Sequence, residues 1–142
     1  MRHLLLFIFF FASFFLLAQD SDTIRNKSIY HKIYSNKLNS DREITIQLPR
    51  NYDLDDGKTY PLFIVFDGDY LFEIVSGNID YMSFWGDIPE SIVVGINQIE
   101  SRYNDTSVLD NIIFTPISSS ANFFEFVTQE LLPYINENYR TN

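Results

Sequence analysis

The stretch Tyr60-Pro61-Leu62-Phe63-Ile64-Val65-Phe66-Asp67-Gly68-Asp69 constrains this chain more than any other. Leu62 to Phe66 is apolar without a break; a proline opens the run, where no ladder hydrogen bond is yet needed, and Asp-Gly closes it. A short run of branched and aromatic side chains with no polar alternation predicts a strand buried on both faces, as found in the middle of parallel sheets. Open α/β sheets bind ligands just beyond the carboxyl ends of their strands. Asp67, Gly68 and Asp69 would stand there.

Before this strand, residues 20–30 are a polar lead-in, and the weak apolar pattern from Tyr30 to Leu38 suits either a strand or a short helix. We read an edge strand over His31 to Ser35. Asn39-Ser40-Asp41 is turn chemistry, and Ile44, Ile46 and Leu48 then alternate with Thr45 and Gln47 as in a half-buried strand ended by Pro49. The two strands predict an antiparallel hairpin. Asn51 to Thr59 is a solvated loop.

After Asp69, Tyr70 to Val75 fits a short helix, Ser76-Gly77-Asn78 follows, and Ile79 to Trp85 is aromatic and ambiguous. Ser91 to Ile96 is a second continuous β-branched run, hence a second buried strand joined to the first by a parallel crossover. Asn97 to Ser120 has no sustained periodicity and exceeds the usual loop length; Arg102, Asp105, Asp110, Thr115 and Pro116 stand out in it. From Ala121, with Ser120 as N-cap, Phe123, Phe124, Phe126, Val127, Leu131, Leu132 and Ile135 define one apolar helix face, with Pro133 a point of kinking.

The chain holds 142 residues, 46% hydrophobic and 17% aromatic, which is enough for one packed domain. Its net charge is −9, and beyond Lys58 the only basic side chains are Arg102 and Arg140, so a nucleic-acid partner would be repelled. With no cysteine, neither a disulfide framework nor a thiolate metal site is possible. Arg2 and His3 precede an apolar run from Leu4 to Leu17 that ends at Ala18, the pattern of a signal peptide over residues 1–19. The run is shorter than the roughly 20 residues of a membrane span. The expected location is periplasmic or extracellular; an uncleaved N-terminal anchor is the alternative.

Arg42-Glu43-Ile44-Thr45-Ile46-Gln47-Leu48-Pro49-Arg50-Asn51-Tyr52, followed by Tyr60 to Gly68, resembles an esterase family of the α/β-hydrolase superfamily. That family includes esterase D, feruloyl esterases, the mycolyltransferases and enterochelin-type siderophore esterases. Ile92 to Ile96, Arg102, Asp105, Phe126, Glu130 to Ile135 and Tyr139 to Thr141 continue the likeness in order, over residues 31–142. The resemblance implies an antiparallel hairpin leading into a mostly parallel sheet with flanking helices, a small-molecule ester as substrate, and no metal or cofactor. It implies that the next element would be a strand ending in Gly-x-Ser-x-Gly. No serine of this sequence lies between two glycines at that spacing, and His31 is the only histidine after the signal region. The expectation is therefore an incomplete α/β-hydrolase fold, truncated before the nucleophile-elbow strand, with the catalytic serine, acid and histidine beyond Asn142 and no activity of its own.

By the same resemblance, the Gly68 and Asp69 amides are candidates for half an oxyanion hole, and Asp67, Tyr70, Arg102 and Asp105 are candidates for the substrate pocket. The plainer readings are that Gly68 only permits a turn with positive φ, and that Arg102 and Asp105 form a surface ion pair. Two other functions fit parts of the sequence. Ile64 to Asp69 also suits the strand and Asp-x-Asp start of haloacid-dehalogenase-type phosphatases, although no lysine follows Lys58 to neutralise phosphate. An exported, non-catalytic binding or remnant domain is the other.

Overall fold

Inward Ile29, His31 and Ile33 alternate with outward Tyr30, Lys32 and Tyr34 along β1 (Ile29–Ser35). The structure, a computed structural model, describes residues 28–52, 57–107 and 118–142. The proposed signal segment and three loop residues, Asp110, Thr115 and Pro116, lie outside the described residues. β1 pairs antiparallel with β2 (Ser40–Gln47), from Ile29 opposite Ile46 to Ser35 opposite Ser40. The expected hairpin is present, and its first strand starts two residues before His31. Its turn closes at Asn39, whose φ of 50° lies in the left-handed region that asparagine tolerates.

Four strands form one sheet in the order β1-β2-β4-β3, with β3 spanning Leu62–Val65 and β4 Ile92–Ile96. β2 runs antiparallel to β4, and β3 parallel to it, so the sheet is mixed. Here the structure corrects the expectation for Leu62 to Phe66. That run is not the buried middle of the sheet: β3 lies at its edge, and Phe63 and Phe66 are 41% and 47% exposed. β4 takes the central role, with all five residues buried. Both runs are apolar enough to be buried, and strand order decides which one is.

The parallel crossover is α1 (Gly68–Phe84), 17 residues that absorb the ambiguous aromatic stretch and pass through Ser76-Gly77-Asn78 without a break. Phe72, Ser76 and Ile79 form its buried face, at helical spacing. Phe72 and Ile79 pack with Val65 and Val93 on one side of the sheet. This layer also corrects the half-buried reading of β2: Thr45 and Gln47 are buried, and the Gln47 amide donates to the Ser76 carbonyl at 3.1 Å.

On the other side, Ile44, Ile46, Ile92, Val94 and Ile96 meet Phe123, Phe126, Leu131 and Ile135 of the last helical segment. That segment comprises α3 (Ser118–Glu125), a wider π-helical stretch over Phe126–Leu131, and α4 (Leu132–Asn138). Ser120 therefore lies inside the helix rather than capping it. Pro133 lies inside this continuous helical segment, just after the π stretch, which takes up the irregularity expected there.

Two long-range polar contacts tie the layers together. The Glu130 carboxylate accepts from Ser35 Oγ at 2.5 Å and from the Asn36 and Lys37 amides at 3.0 and 3.2 Å, clamping the hairpin turn to the π stretch. Beyond α4, the Tyr60 amide donates to the Arg140 carbonyl and the Asn142 amide to the Tyr60 carbonyl, at 2.9 and 3.1 Å. Tyr60 and Thr141 thus form an isolated parallel bridge just ahead of β3. Replacing Glu130 leaves a fully buried serine hydroxyl and two turn amides without their acceptor. Glu130→Ala is expected to lower stability by about 2 kcal/mol in denaturant unfolding.

Candidate active-site wall

The carboxyl ends of β3 and β4 lie side by side, and the polar residues that follow them interlock. Asp67, just past β3, takes a left-handed conformation with φ 55° and ψ 43°. That is unfavourable for a residue with a side chain, by about 1–2 kcal/mol, so it needs support. The Asp67 amide donates to Gln98 Oε1 at 3.1 Å, and its carbonyl accepts from the Tyr70 and Leu71 amides at 3.2 and 3.0 Å, which starts α1. The Asp67 carboxylate pairs with the Arg102 guanidinium, which also donates to Tyr70 Oη at 3.2 Å.

Gly68 does not have the positive φ that a turn glycine supplies. It is needed for space instead: a Cβ at Gly68 would stand 2.9 Å from the Ile96 amide nitrogen and 3.0 Å from Asn97 Oδ1. Gly68 and Asp69 open α1, so their amides belong to the first turn, which has no intrahelical acceptors and carries the positive end of the helix dipole. A cleft of about 350 Å³ lies between Asp69, the Asn97–Ile99 loop after β4, and Lys32, Arg42 and Glu43 of the hairpin.

Gln98 is the junction, and the sequence reading missed it. It is 1% exposed. Its amide N–H donates to Asp69 Oδ2 at 2.6 Å, its Nε2 donates to Asp105 Oδ2 at 3.0 Å, and its carbonyl accepts from the Ser101 and Arg102 amides. Those last two bonds start the short helix α2 (Arg102–Thr106). The available signal was a polar Asn97-Gln98 pair directly after an unbroken buried strand.

Asp105 does not pair with Arg102. Its carboxylate is 1% exposed and accepts from Arg42 Nη2 at 2.9 Å, Ser101 Oγ at 2.6 Å and Gln98 Nε2. Its hydrogen-bonding capacity is spent on holding α2 to β2. Of the four pocket candidates, Tyr70 and Arg102 are exposed, Asp67 and Asp105 are buried in the framework, and none of the four lines the cleft at Asp69. The two carboxylates that a phosphatase would need at Asp67 and Asp69 are engaged by Arg102 and by the Gln98 amide respectively. Among the described residues, no group of three His, Cys, Asp or Glu side chains could hold a metal ion. Asp105→Ala would leave a largely buried guanidinium and two other donors without acceptors. It should cost about 3–5 kcal/mol, whereas Tyr70→Phe, at an exposed position, should change stability by less than about 0.5 kcal/mol; thermal or urea denaturation measures both.

Solved structures of similar fold are known. The chain superposes with a TM-score of 0.70 on an uncharacterised protein from Capnocytophaga ochracea, at 35% identity, covering 81% of this chain and 31% of that one. It matches an IroE-like serine hydrolase from Shewanella oneidensis with a TM-score of 0.68 at 24% identity, covering 82% and 40% of the two chains. For the ferric enterobactin esterase of Salmonella typhimurium the values are 0.59, 21%, 82% and 27%. The chain thus spans less than half the length of each of these proteins, and the last two likenesses are of fold alone. No curated protein sequence matches it. The family model described as "Putative esterase" matches residues 35–142, three-quarters of the sequence. The chain belongs to that esterase family.

Proposed function

We propose that residues 31–142 form the N-terminal half of an exported carboxylic-ester hydrolase and provide one wall of its oxyanion hole, with no turnover of their own. The observation that carries this reading is the parallel bridge between Tyr60 and Thr141 on the open side of β3. Parallel strands advance in step, so a strand continuing from Thr141 would run along β3 and reach the level of Asp67 about seven residues later. A nucleophile on the turn after such a strand would face the Gly68 and Asp69 amides. Two amides at a helix start are suited to a developing oxyanion, because they are fixed in place before charge forms.

Family membership and the share of the relatives' length that this chain spans support the same reading. So does the sequence, which contains no Gly-x-Ser-x-Gly. The substrate would be a small-molecule ester, with Tyr70 and Arg102 at the rim of its pocket and Asp67 and Asp105 acting through the groups they hold. No cofactor is needed for acyl transfer of this kind. Export rests on the apolar segment before residue 20; among the described residues, no helix is long and apolar enough to cross a membrane.

Incubating the purified chain with p-nitrophenyl acetate tests the claim that this half lacks turnover. Release of nitrophenol should match the buffer rate. Saturable hydrolysis that follows the protein through purification would show that a nucleophile is already present.

A further inference from the structure

We propose that Gln98 is the positioning residue of this site, locking the turn at Asp67 to Asp69 and with it the first-turn amides of Gly68 and Asp69. The proposal rests on the oxyanion reading above for its meaning, but its geometry stands apart from it. Asp67 has the left-handed backbone of a residue that would relax if released, and its amide is held by Gln98 Oε1 at 3.1 Å. From the other end of the turn, the Asp69 carboxylate accepts from the Gln98 amide at 2.6 Å. The turn is therefore gripped at both of its aspartates by one residue of the neighbouring loop. Gln98 is itself held through Nε2 to Asp105 Oδ2 at 3.0 Å, and Asp105 is anchored to Arg42 of β2.

Only a side chain with both an acceptor and a donor at its tip can bond the Asp67 amide and the Asp105 carboxylate together. Glutamine has both; glutamate has both only when protonated. The charged groups around this tip are Asp67 and Asp69 from the turn and α1, Arg102 and Asp105 from α2, and Arg42 from β2. In Gln98→Glu at neutral pH, the introduced carboxylate faces Asp105 where an amide donor had been. As pH falls, protonation of the introduced carboxyl restores a donor toward Asp105 while the other oxygen still accepts from Asp67.

Amide spectra of the full chain read this directly. In the unsubstituted protein, the Asp67 amide should exchange with solvent as slowly as the amides of β4, despite lying in a turn. In Gln98→Ala, the Gly68 and Asp69 resonances should move at every pH while those of the β1–β2 hairpin stay. In Gln98→Glu they should move at pH 7 and return in acid. Fast exchange of the Asp67 amide overturns the proposal and needs no substituted protein, so a variant that fails to fold leaves it testable. A folded Gln98→Ala with unmoved Gly68 and Asp69 resonances also overturns it. So does a Gln98→Glu shift that acid does not reverse, or a disturbance spread evenly over the sheet. None of these readouts needs ester hydrolysis, so failure of the oxyanion reading would show itself separately.

Discussion

Helix α1 lies against β4 with almost nothing between them at two points. At Gly95, an added Cβ would come 2.6 Å from Phe72 Cδ2, and at Gly68 one would come 2.9 Å from the Ile96 amide nitrogen. Close approach at both places sets the height of the helix over the sheet and hence the position of its first turn. Phe72, Ile79, Val65 and Val93 then close the layer between those contacts. With the other face of β4 packed against Phe126, Leu131 and Ile135, the strand is enclosed on both sides, and the three-layer arrangement follows from it.

The start of α1 is not held by packing alone. A polar brace runs from Arg42 on β2 through Asp105 and Gln98 to the backbone of Asp67 and the carboxylate of Asp69. Its central members are buried, where an unmet donor or acceptor is costly, and the bonds constrain one another. The first two residues of α1 are therefore fixed in place without relying on a flexible loop. This is the property an oxyanion wall requires, since donors that must move during reaction lose much of their effect.

Much of the fold was legible in the sequence. The Thr45 and Gln47 alternation marked a strand, the Asp-Gly after Phe66 marked the end of the Leu62 run, and the Phe123 to Ile135 spacing marked the last helix. The errors have identifiable physical sources. Two equally apolar runs, Leu62 to Phe66 and Ile92 to Ile96, could not be ranked as edge and centre, because strand order depends on long-range pairing. Gln47 read as solvent-facing because nothing local shows that α1 covers it. Gly77 suggested a break in a helix that is held by burial of Phe72, Ser76 and Ile79. Gln98 was overlooked, and Arg102 and Asp105 were matched to each other, because buried polar partners are chosen by tertiary proximity. Here those partners come from β2, from the turn after β3 and from the loop after β4.

On the proposed function, Gly68 and Asp69 are half of a site whose other half would arrive along the open side of β3. The nucleotide sequence downstream of the Asn142 codon tests this most directly. It should encode, in frame or after a frameshift, an apolar strand reaching the level of Asp67 about seven residues beyond Thr141, followed at once by Gly-x-Ser-x-Gly. A downstream sequence with no such strand and serine turn in any frame would contradict it.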